Sequence, residues 1–349
     1  MTKTLLSTAA IVAAVNASPA HAAQSKRVVF DSNGERLVGD LYLPDDYEKG
    51  DKLPGIVVTG AWTTVKEQMP ARYAAELADR GYAALTFDFR GWGQSEGAPR
   101  QLEHPERKTE DIVAAADFLS TRSEIDNVRI GGLGICASSG YMTDAASRSP
   151  HIRSLALVAP WLHNAELVED VYGGEDGVAD LIETGREAVE ENTMVEAAST
   201  TNEDAVMFEA PYYTEADRGD IPEYVNQFNL ASWEPWLTYD AVKLSSDVNA
   251  AGLPVAIVHS EAAAVPKGTH EFFDALTVET KSELWLDDVS QFDFYDRNAP
   301  VTEASDRVAS HFGQTLTAAS DALPGSERQA RAKRTVMDFL TGLERKDMG

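Results

Sequence analysis

The stretch VRIGGLGICASSGYMTDAASR, from Val128 to Arg148, decides the fold. Its first eight residues are a short apolar run that reads as a buried strand, and the segment from about Ser139 to Arg148 reads as a short helix. The strand's end runs straight into Gly134-Ile135-Cys136-Ala137-Ser138, which joins the two. Strand, tight turn and helix are the context of a nucleophile elbow, with Cys136 at the reactive place and the small residues Gly134 and Ser138 two places either side, where the turn is crowded. A side chain at the first turn of a helix meets unpaired N–H groups and the positive end of the helix dipole, so a depressed thiol pKa is expected. Cys136 is the only cysteine, which excludes an intramolecular disulfide and leaves stability to the core.

Outward from this stretch, short apolar runs alternate with helical periodicity. Upstream lie GIVVTGA, a helix through ARYAAELADRG, AALTFDF and a helix through TEDIVAAADFLSTR; downstream lies SLALVAP. At the amino-terminal edge, RVVFDSNGERLVGDLYLP reads as two strands around a turn at Ser32-Asn33-Gly34. The alternation stops after Pro160 and resumes at PVAIVHS, followed by a helix through HEFFDAL, the strand SELWLDD and a helix through SDRVASHFGQTL. The pattern predicts an α/β fold: a mostly parallel central sheet with helices on both faces and an inserted helical cap. The core is expected over residues 23–162 and 252–316, the cap over 163–251, and a linker with a charged helix over 317–349. A cap over the strand carboxyl ends would enclose a pocket.

The chain has 349 residues, 43% of them hydrophobic and 25% charged, which is enough to bury one substantial core. Its 57 acidic and 30 basic residues give a formal net charge of -27. Such a surface repels phosphate backbones and anionic headgroups, so a nucleic-acid partner is not expected. Residues 1–22 carry Lys3, an apolar run from Leu5 to Val15 and the small-x-small ending Ala20-His21-Ala22, the pattern of a cleaved signal peptide. The mature chain is expected to be periplasmic or secreted, to stay off the membrane and to act on a small molecule. The glycines of FDFRGWGQSEG are too few for a dinucleotide loop, and the histidines and carboxylates have no metal-ligand spacing, so no cofactor and no metal are expected. Oligomeric state is not legible.

From Arg27 to Leu316 the sequence resembles the α/β-hydrolase superfamily, and within it the dienelactone-hydrolase-like branch, whose elbow carries cysteine where most members carry serine. The resemblance rests on VVTGAW, FDFRGWGQSEG, GLGICASSGY and the order of elements through QFDFYD. It implies an oxyanion hole made by the N–H of Ala137 and a second N–H at Ala61 or Trp62. It fails at two places. WLDDVSQFDFYD has Gln291 where the family's histidine is expected, and HSEAAAVP has alanines where its aspartate lies, leaving Glu261 as the nearest carboxylate.

His163, in APWLHN at the same sheet edge, is the leading alternative base, or else an anchor for the cap. His259, at a strand end, is read as a packing residue; His104, His151, His270 and His311 are given no role. Lys66 with Glu67 reads as a surface pair, Asp88 with Arg90 as a structural ion pair, and Asp293 and Asp296 as turn or capping residues. Two functions follow. In the first, Cys136 attacks a small ester, lactone or thioester while Gln291 orients the substrate by hydrogen bonding. In the second, the missing base leaves a ligand-binding protein, lyase or isomerase on the same fold.

Overall fold

The computed structural model describes residues 24–317. The expected signal segment and the carboxyl-terminal linker and helix lie outside them. An eight-stranded sheet runs through the middle, in the order β1-β2-β4-β3-β5-β6-β11-β12. β1 (Gln24–Ser32) and β2 (Glu35–Leu43) form the antiparallel hairpin read from the sequence, closed by Asn33 and Gly34 at φ 52° and 84°, the left-handed pair of a type I′ turn. β2 is also antiparallel to β4 (Ala83–Phe87). From β4 onward through β3 (Leu53–Thr59), β5 (Ile125–Ile135), β6 (Ile152–Val158), β11 (Val255–His259) and β12 (Lys281–Trp285) the neighbours are parallel.

The helices fall on both faces because the parallel strands are apolar on both. α1 (Met69–Ala78) and α10 (Asn298–Thr315) cover one; α2 (Pro105–Ser120), α3 (Ser138–Arg148), α7 (Ser245–Ala251) and α8 (Pro266–Ala275) line the other. β5 admits both layers closely: a Cβ at Gly131 would come 2.8 Å from the Phe312 ring of α10, and one at Gly132 would come 2.3 Å from the Met142 sulfur of α3.

Between β6 and β11 the chain leaves the sheet. This insertion is helical at its ends, with α4 (Ala165–Tyr172) and α5 (Gly174–Glu191) first, then α6 (Trp233–Leu237) and α7. Its middle is mostly irregular and holds two short pairings: β7 (Met194–Glu196) with β10 (Gln227–Asn229), and β8 (Ala198–Ser199) with β9 (Met207–Phe208). It docks over the strand carboxyl ends: Tyr213 donates to the Trp62 carbonyl at 3.1 Å and Gln68 donates to the Gly219 carbonyl at 2.7 Å. Among the described residues no helix is long and apolar enough to cross a membrane.

The strand order reverses between β3 and β5, so their carboxyl ends open a crevice. Around it, non-glycine residues adopt left-handed backbone after four strands: Thr63 (φ 63°) after β3, Cys136 (φ 56°) after β5, Ala159 (φ 43°) after β6 and Val265 (φ 43°) after β11.

Candidate active site

Cys136 stands directly between β5 and α3, in the left-handed conformation that an elbow demands. Its N–H donates to the Val158 carbonyl at 3.1 Å, and its carbonyl accepts from Ser139 and Trp161, each at 3.0 Å. The small residue at 134 has a direct cause: a Cβ there would come 2.6 Å from the Ser138 carbonyl oxygen. Register brings the second wall alongside, since Thr59 of β3 pairs with Gly134 of β5 and the loop after β3 therefore rises next to the elbow.

Four hydrogen-bonding groups face the Cys136 thiol: the N–H of Ala137, the N–H of Trp62, the Tyr295 hydroxyl and the Gln291 side chain. Each favours the thiolate, yet burial outweighs them and pushes the thiol above its ordinary range. The expected depression is thereby corrected. The dipole at the start of α3 acts on a sulfur sealed among phenols, and loss of water dominates. Of the two residues singled out after β3, Trp62 turns its N–H toward the sulfur; the Ala61 carbonyl accepts from the Thr64 hydroxyl at 2.6 Å and closes the turn. The Trp62 indole packs on Phe228, Trp233 and Trp236 of the insertion, with ring centroids 4.7 to 6.0 Å apart.

Among the described residues no histidine is one of the groups that face the Cys136 thiol. Gln291 lies beside the thiol, but its amide is held by the protein: Oε1 accepts from Ala264 N at 3.0 Å, and Nε2 donates to the Ala159 carbonyl at 2.9 Å and to the Tyr295 hydroxyl at 3.1 Å. His163 is buried with both ring nitrogens engaged away from Cys136, Nδ1 accepting from the Trp161 indole at 3.0 Å and Nε2 bonded to the Trp236 carbonyl at 3.1 Å. Burial lowers its pKa to about 4, and its carbonyl accepts from Ala241 at 2.8 Å, so it joins the body to the insertion. Glu261 is exposed and paired with His270 at 2.8 Å. His259 is buried against Trp285, ring centroids 5.2 Å apart.

A family model of the X-Pro dipeptidyl-peptidases, family S15, matches residues 33–290, about three quarters of the chain. This chain belongs to the S15 family. The uncharacterised protein YcjY of Escherichia coli K12 is 29% identical over 289 residues, covering 79% of this chain and 93% of YcjY. The crystal structure of the hypothetical protein PA2218 from Pseudomonas aeruginosa matches with TM-score 0.71 and 26% identity, over 84% of this chain and 94% of that one. The α/β hydrolase GrgF from a Penicillium species shares the fold, with TM-score 0.69 at 16% identity over 84% of this chain and 99% of GrgF. Family and neighbours thus establish an α/β-hydrolase fold of hydrolase type.

In this S15 member the residue that sequence reasoning missed is Tyr295. It follows Gln291 by four places, in the short helix α9 (Asp293–Asp296) just after it, and its hydroxyl accepts from Gln291 Nε2 at 3.1 Å. Burial raises its pKa well above the ordinary phenol value, which makes it a hydrogen-bond donor and not a base. Charged residues read as surface features are buried parts of the same edge. Lys66 has no exposed side-chain surface and pairs with Asp88 at 3.2 Å and with Glu67. Asp88 therefore does not pair with Arg90, which binds Asp111 at 2.6 Å and Glu110 at 2.5 Å. Asp293 closes a turn by accepting from Ser290 Oγ at 2.6 Å, and Asp296 holds Arg218 of the insertion at 2.5 Å. Among the described residues no cluster of three metal-ligating side chains occurs.

Proposed function

We propose that this protein, after export, forms an acyl-enzyme on Cys136 from a small acyl substrate, an ester, lactone or thioester. The observation that carries this reading is the pair of N–H donors, Ala137 and Trp62, converging on a sulfur held at φ 56°. A cysteine at this place matches the dienelactone-hydrolase-like resemblance, and the S15 membership supports a hydrolase lineage. In the reaction, the Sγ–C bond forms while the carbonyl oxygen takes the negative charge between the two N–H groups. The bond to the leaving group then breaks, and the proton that Sγ gives up on bonding goes to the departing atom, while Tyr295 keeps its own proton and donates to the sulfur. A thioester suits the site best, because a departing thiol leaves far more readily than an alkoxide when no strong acid stands by. Among the described residues no basic side chain faces the thiol to activate water, so deacylation is slow and the acyl-enzyme accumulates.

The test uses the mature chain from Ala23 with p-nitrophenyl acetate and with a short-chain acyl thioester. The expected result is a burst of about one product per chain, then slow turnover, with the acyl mass on Cys136 and none on Cys136→Ala. The Gln291 amide, bound at both ends, favours a second reading in which the pocket binds a ligand without acyl transfer. Absence of adduct from both donors selects that reading.

A further inference from the structure

The two donors facing Cys136 come from different elements, Trp62 from the loop after β3 and Ala137 from the head of α3. One buried carboxylate touches both supports. Glu103, fully buried in the loop before α2, accepts from the Thr63 N–H through Oε2 at 3.2 Å. Its Oε1 accepts from the Tyr141 hydroxyl at 2.8 Å and pairs with Lys108 Nζ at 2.6 Å. Thr63 immediately follows Trp62 and is held at φ 63°, a conformation that needs an external restraint. Tyr141 lies one turn beyond Ala137 on α3. The backbone N–H of Glu103 also donates to Ser232 Oγ of the insertion at 2.8 Å.

We propose that Glu103 is the positioning residue of the oxyanion hole, a single carboxylate that fixes the Trp62 N–H relative to the Ala137 N–H. It acts through Thr63 on one side and Tyr141 on the other, and Lys108 balances its charge. The inference rests on the acyl-enzyme reading and adds the residue that sets the site's aim. A carboxylate is required because all three partners donate. A carboxamide offers one acceptor oxygen, so Glu103→Gln must either turn its NH₂ toward the Thr63 N–H or release Tyr141 and Lys108.

The experiment compares wild type with Glu103→Gln by two reactions at Cys136 and by amide exchange. Acylation builds negative charge on oxygen and needs the hole; alkylation by iodoacetamide builds none and does not. Expected in the variant are acylation slower by roughly tenfold to a hundredfold, an unchanged limiting alkylation rate at pH above the thiol's midpoint, where the sulfur is already thiolate, and faster hydrogen exchange at Thr63. Tyr141→Phe, which severs only the α3 side, slows acylation by less and serves if Glu103→Gln does not fold. Unchanged acylation, or acylation and alkylation falling in the same proportion, overturns the proposal. Should the wild type itself take no acyl group, the acyl-enzyme reading fails, and unchanged Thr63 exchange in Glu103→Gln then overturns the positional claim separately.

Discussion

The proton on Cys136 is set by a contest between burial and four hydrogen-bonding groups, and burial wins. Alkylation by iodoacetamide is therefore expected to rise with a midpoint above the ordinary thiol value of about 8.5, and higher still in Tyr295→Phe, which removes one donor; a midpoint below 8 overturns this account. Gln291→His places an imidazole beside the sulfur and is expected to bring the midpoint down. The same change releases the Ala264 and Ala159 groups that the amide now satisfies, so the variant loses roughly 1–2 kcal/mol of stability, measurable by urea unfolding. At this scale the sequence was legible where chemistry is local. Cys136, Gly134 and Ala137 announce themselves within five residues, whereas the thiol's ionisation depends on phenols up to about 160 positions away, beyond any local pattern.

Between elements, the same limit separates what could be read from what could not. The choice between Ala61 and Trp62 hung on which way the backbone turns after β3, and that turn is fixed by the Thr64 hydroxyl and by Glu103, not by periodicity. Lys66 looked like a surface charge because its partner Asp88 lies 22 residues on, in the loop after β4. His163 makes contacts that suit an anchor: its ring joins Trp161 to the carbonyl of Trp236 in α6. His163→Ala is accordingly expected to lower stability by about 2 kcal/mol or more, read from denaturant midpoints, while the pH profile of Cys136 alkylation keeps its shape. A profile shifted upward instead would make the imidazole a partner of the thiol.

For the whole molecule, the alternation of apolar runs and helices was sufficient to place the hairpin and the parallel strands, because a strand buried on both faces carries its signal in a few consecutive residues. The irregular interior of the insertion, from Asn192 to Asn226, carries no such period. Stability should depend on pH through three buried histidines, His163, His259 and His311, whose pKa values burial lowers to about 4. The unfolded chain takes up these protons near 6.5 and the folded chain only near 4. Their contribution is full above pH 6.5 and drains as pH falls toward 4, at about 1.4 kcal/mol per unit for each group. Chemical denaturation at pH 7 and pH 5 checks the sign, and histidine NMR checks the assignment. Finally, the left-handed residues after β3, β5, β6 and β11 place backbone strain, roughly 1–3 kcal/mol apiece, on one rim of the sheet. Glycine at Thr63, Ala159 or Val265 would relax that rim and favour heat resistance, and every such gain would loosen the aim of the groups around the sulfur.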